Sequence, residues 1–78
     1  MNVAQFIALF EESVLDVPAG TIQLDSVLDE LEEWDSMARV ALNAVLDSNF
    51  GIMFSSDELK ELKTFSDIVQ KLDGRLDA

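Results

Sequence analysis

The stretch from Ser36 to Phe50 contains neither Gly nor Pro and repeats Leu, Val and Ala, so it reads as a helix. Asp35 or Ser36 stands where an N-cap belongs, with a side-chain oxygen able to accept from an orphan amide. At about 100° per residue, Ala38, Leu42, Val45, Leu46 and Asn49 gather on one side. Met37, Val40, Ala41 and Ala44 gather on the other, together with Asp47 and Ser48. A helix apolar nearly all round is either buried all round or meets a partner. Arg39 adds a second oddity: a cation in the first turn opposes the helix dipole. Both features point outward from the helix start.

The rest of the chain supplies partners for this helix. Asn2 and Gln5 have capping-box spacing, and Val3, Phe6, Ile7, Phe10 and Val14 follow on one helical face. This first helix is expected to end near Leu15, with Pro18 and Gly20 marking the exit. Residues 16–35 form a long connection, expected to be anchored on the core by Ile22, Leu24, Val27, Leu28 and Leu31, with a short helical turn near Ser26–Leu31. Beyond Phe50, Gly51 breaks the helix, and Ile52, Met53 and Phe54 form a short apolar crossing or plug. Ser55 and Glu58 open a short helix reaching Leu62. Thr64 caps a last helix, with Phe65, Ile68, Val69, Leu72 and Leu76 on one stripe. No strand alternation and no internal repeat occurs. The expectation is an all-α fold of four helices, read as a single domain over residues 1–78.

Charge and missing residue types narrow the chemistry. The chain carries 16 acidic and 5 basic residues, a net charge of -11, and no Lys or Arg precedes Arg39. Such a surface repels nucleic acid and anionic membrane and attracts basic protein patches. With 49% hydrophobic residues the chain is too apolar for a disordered acidic tail. Asp25, Asp29, Glu30, Glu32, Glu33 and Asp35 crowd the long connection, but an EF-hand counted from Asp25 meets Val27 at a ligand position. There is no Cys and no His, hence no thiolate metal site, no usual proton shuttle and no base to make a triad with Ser36. No Gly-rich phosphate loop occurs. No enzyme, metal site or membrane span is expected. A cytoplasmic location is the default expectation, since the stretch from Met1 lacks the basic region and apolar core of a signal peptide.

Asp35-Ser36-Met37 at a helix start, followed by Val40, Leu42, Leu46 and Phe50, resembles the acyl carrier proteins. The stretch from Phe50 to Leu59 and the close from Thr64 to Leu72 fit the same family, so the resemblance spans about Thr21–Leu72. It implies a four-helix bundle of acyl-carrier type, with a long loop between helices 1 and 2 and a short third helix. It implies a 4'-phosphopantetheine arm on Ser36, attached by a phosphopantetheinyl transferase from coenzyme A and carrying acyl groups as thioesters. Asp35 maps onto the motif aspartate that the transferase recognises. The cofactor then supplies the thiol that the chain lacks. Arg39 falls near the new phosphate by spacing. Further partners implied are acyl-loading and acyl-processing enzymes with basic patches, meeting a monomer.

The partner surface is expected at Trp34, Met37, Val40, Ala41, Ala44 and Asp47, while Trp34 also reads as an aromatic lying on the core edge. Many fatty-acid carriers have Gly where this chain has Glu33, followed here by Trp34. Their second helix is also richer in acids than this one, which has Ala41, Asn43 and Ser48. The Trp34-to-Met37 variant looks like carriers of specialised pathways, so fatty-acid, polyketide and other pathways all stay open. An aminoacyl or peptidyl carrier shares the fold and arm. A cofactor-free helical interaction module, with Ser36 a mere cap, is the rival of another class.

Overall fold

The computed structural model describes residues 1–72 and 74–77. Among these the chain forms four α-helices and no strand: α1 (Val3–Leu9), α2 (Ser36–Phe50), α3 (Ser56–Glu61) and α4 (Phe65–Lys71). Helix α1 runs directly into a π-helical segment, Phe10–Leu15, and a 3-10 turn at Leu28–Glu30 interrupts the long connection.

Each helix begins where its capping chemistry lies. The Asn2 side chain accepts from the Gln5 amide at 2.8 Å, and the Gln5 side chain accepts from the Asn2 amide at 2.9 Å. Ser55 and Glu58 repeat that exchange at the start of α3. The Asp67 carboxylate accepts from the Lys63 and Thr64 amides at the start of α4. Helix α2 stops at Gly51, whose φ of 70° is a left-handed conformation that glycine adopts without strain.

The first helical stretch reaches Leu15 as expected, but its second half is not α-helical. The wider winding brings residues four and five apart onto one side. It therefore aims Phe10, Glu11, Val14 and Leu15 inward together, and all four are buried. Asp16, at φ 54°, ends the segment in the left-handed region that aspartate tolerates better than most residues. Nothing in the alternation of Glu11, Glu12 and Ser13 signals this change of winding.

A run of rings forms the centre of the core. Phe6 meets Phe50 at 6.2 Å and Phe65 at 5.6 Å, Phe65 meets Phe10 at 5.0 Å, and Phe10 meets Trp34 at 5.8 Å. Leu42, Leu46, Ile68 and Leu72 fill around them and are fully buried. The rings thus link the last residue of α2 and the residue two before its start to the first helical stretch and α4.

The long connection is held differently from the expectation. Ile22 and Leu28 are buried, and Leu31 is half-buried, as anchors should be. Leu24 and Val27 instead expose their side chains, at 47% and 39%. Here the backbone does the anchoring. The Leu24 and Ser26 carbonyls accept from the Ser66 and Phe65 amides, and the Leu28 amide donates to the Lys63 carbonyl. The loop thereby satisfies the orphan amides at the start of α4. The buried carboxylate of Glu11 accepts from the Ile22 amide at 2.9 Å and pins the loop's other end.

The segment after α2 acts as a plug. Phe54 is buried, Ile52 is half-buried and Met53 is 65% exposed. Asn43 fastens the plug to α2 in both senses. Its Oδ1 accepts from the Phe54 amide at 2.9 Å, and its Nδ2 donates to the Phe54 carbonyl at 3.0 Å. Asn49, grouped by period with the core side of α2, is exposed and donates to the Val45 carbonyl.

Candidate functional site

The start of α2 separates two jobs that its sequence leaves combined. Asp35 is the N-cap: its backbone is extended and its Oδ1 accepts from the Ala38 amide at 2.9 Å. Its carbonyl accepts from the Arg39 amide at 3.1 Å. Ser36 is therefore the first helical residue and not the cap. Its side chain is exposed, and its hydroxyl has no hydrogen-bond partner among the described residues. The Ser36 and Met37 amides likewise have none there. The result is a free hydroxyl beside free amides, at the positive end of a helix of 15 residues. A phosphoester on Ser36 would meet the kind of environment that binds anions at helix starts. The residues present fit a covalent phosphate-linked arm.

Trp34 requires a correction as a partner-surface residue. It is only 6% exposed, which agrees with its other reading as an aromatic on the core edge. Its indole packs on Phe10 on one side and carries the Arg39 guanidinium over its ring, with Cζ 5.6 Å from the ring centroid. A large amphipathic ring beside a core phenylalanine removes more apolar area from water inside than outside. Ala41 is also misplaced in part: it is half-buried and packs against the core, so it backs the surface instead of forming it.

The remaining members of that surface lie in the open. Met37 is 75% exposed and Val40 is 67% exposed, and Ala44 and Asp47 are exposed too. The helix turns Ala38, Leu42 and Leu46 to the core, so this second apolar stripe is left without an internal neighbour. It starts at Met37, next to Ser36, and runs about two turns along the helix to Ala44. The acids of the connection, Asp25, Asp29, Glu30, Glu32 and Glu33, are all exposed. They do not converge: among the described residues no group of three acids could hold a metal ion.

Two residues near the site escaped the sequence reading in part. Arg39 was legible as a misplaced cation near the expected phosphate, but its stacking on Trp34 was not, because that depends on how the connection folds back. The signal that points to it is an aromatic two residues before Ser36 and a cation three after. Asn43 gave no signal beyond being a polar residue on an apolar helix.

A family model described as a phosphopantetheine attachment site matches residues 4–72. No curated protein and no solved structure matches the chain.

Proposed function

Because the chain belongs to the phosphopantetheine attachment-site family, we propose that Ser36 bears its arm and that the cargo is an acyl group. Domains of this family carry covalently attached 4'-phosphopantetheine and are carriers, so the chain is not an enzyme. It works with a phosphopantetheinyl transferase and with partner enzymes. When attached, the arm supplies the thiol that holds cargo as a thioester.

The observation that carries the assignment is the division of labour at the start of α2. Asp35 takes the cap and leaves Ser36 exposed with its hydroxyl uncommitted. The Ser36 and Met37 amides and the helix dipole then stabilise the phosphodiester that the arm brings. Asp35 both shapes this end and presents a carboxylate to the transferase. Residues 1–78 are taken as one carrier unit, a reading supported by the packing of α1 and α4 in one core through Phe6 and Phe65.

An acyl cargo is supported by the resemblance of Asp35-Ser36-Met37 and of the stretch from Phe50 to Leu59 to the acyl carriers. The variant residues Glu33 and Trp34 favour a specialised pathway. Met37, Val40 and Ala44 form the apolar part of the surface that partner enzymes read, with Asp47 on its rim. Partner enzymes bring basic patches to the surrounding acids.

The test is intact mass after incubation with coenzyme A and a promiscuous phosphopantetheinyl transferase. One phosphopantetheine is expected on the wild-type protein and none on Ser36→Ala. Modification of Ser36→Ala at another serine would falsify the site. Incubating the loaded protein with acyl-activating and aminoacyl-activating ligases then separates the two cargoes.

A further inference from the structure

Among the described residues, two buried side-chain nitrogens lack a hydrogen-bond partner: Trp34 Nε1 and Arg39 Nε. Both belong to one stacked pair, and that pair flanks Ser36, two residues before it and three after. Orphaned donors are costly, and their coincidence at one place calls for a reason. Arg39 also forms no salt bridge among the described residues, although the chain has 16 carboxylates. The helix dipole disfavours a cation at this position. With no ion pair among the described residues and a helix dipole that opposes it, Arg39 stands to gain from an anion that arrives beside it.

We propose that Arg39, held against the Trp34 ring, is the cation that pairs with the phosphodiester of the arm on Ser36. Positions i and i+3 of a helix lie about 5–6 Å apart at Cβ, within reach of a guanidinium and a phosphate oxygen. The guanidinium suits this anion because its planar fork can give two hydrogen bonds to it. Trp34 is a positioning residue: its face limits where the half-buried Arg39 can go and keeps it from the loop acids. The inference rests on Ser36 being the attachment residue. It adds that loading changes the charge balance of the first turn from opposed to paired, so the arm stabilises its own root.

The test compares apo and loaded protein for the wild type, Arg39→Gln and Arg39→Lys, with loading verified by mass. Loading is expected to raise the wild-type thermal midpoint by ~1–5 °C more than that of Arg39→Gln. The excess should shrink at high salt, and Arg39→Lys should retain part of it. The emission of Trp34, the chain's one tryptophan, should change on loading of the wild type as the guanidinium shifts toward the phosphate. Equal increments in wild type and Arg39→Gln overturn the pairing alone. If Arg39→Gln resists loading, unchanged Trp34 emission in the loaded wild type does the same. Failure of the wild-type Ser36 to gain mass overturns both the pairing and the attachment site.

Discussion

Replacing Ser36 with alanine removes a hydroxyl that supports no hydrogen bond among the described residues. The expected change in stability is therefore within about 0.5 kcal/mol, as for an ordinary surface substitution, while loading is abolished. Asp35→Ala should behave otherwise. It frees the Ala38 amide and should cost about 0.5–2 kcal/mol, visible as a lower urea midpoint before any effect on the transferase is considered. A result in which Ser36→Ala is the more damaging to stability would reverse the two roles. Glu11 poses a related question inside the core. Its carboxylate is buried and accepts from the Ile22 amide. Glu11→Ala should cost about 1–3 kcal/mol by stranding that amide, and Glu11→Gln, which keeps an acceptor, should cost less. Equal losses in the two variants would mean that packing, not the hydrogen bond, holds the loop there.

At the scale of the helix, α2 has one face for folding and one for recognition. Leu46 is fully buried, so Leu46→Ala should cost about 2–5 kcal/mol. Val40 is 67% exposed, so Val40→Glu should leave the thermal midpoint nearly unchanged while slowing turnover by the transferase or a loading enzyme. Unfolding by Val40→Glu together with a silent Leu46→Ala would show the helix turned the other way. The short helices bear a pH dependence of their own. The Lys63 and Thr64 amides hold the Asp67 carboxyl below the usual carboxylate range. The Ser55 amide does the same for Glu58. Groups with depressed native pKa values stabilise the fold above their unfolded pKa, and that contribution fades as pH falls through the native value. Acid should therefore loosen the starts of α3 and α4, from about pH 4 downward. Midpoints measured across this window should fall less steeply for Asp67→Asn than for the wild type, and parallel curves would remove Asp67 from the account.

For the molecule as a whole, the net charge of -11 sets how it meets others. Association with partner enzymes should weaken as salt rises, mostly through slower encounter. An affinity flat from low to high salt would leave only the apolar stripe of Met37 and Val40 to drive binding. Self-repulsion vanishes near the sequence pI of about 4.1, and light scattering should report aggregation there. That pH overlaps the range in which the caps of α3 and α4 weaken, so solubility and unfolding must be followed by separate probes.

Much of this was written locally in the chain. A helix start is a matter of a few consecutive residues, so Asn2 with Gln5 and Ser55 with Glu58 announced their capping boxes, and Gly51 announced its break. The 3.6-residue period likewise placed Ala38, Leu42 and Leu46 inside α2 and Met37 and Val40 outside. The family of the chain was legible in the same way, because Asp35-Ser36-Met37 and its helical setting are contiguous. What required the tertiary structure was every interaction whose partners are close in space and distant or unpatterned in sequence. Asn43 finds Phe54 only after the chain reverses at Gly51, and Glu11 finds Ile22 only after the π-helical segment turns it inward. Leu24 and Val27 looked like anchors by their apolarity, but the start of α4 had amides to satisfy, and the loop's carbonyls were the groups that met them. Trp34 was drawn inside by Phe10, a residue 24 positions away. Hydrophobic burial is non-directional, so it tells a residue to leave water without saying which neighbour it will find. The neighbour, and with it the placement of the Arg39 guanidinium over the Trp34 ring, was decided by the packing of the whole chain.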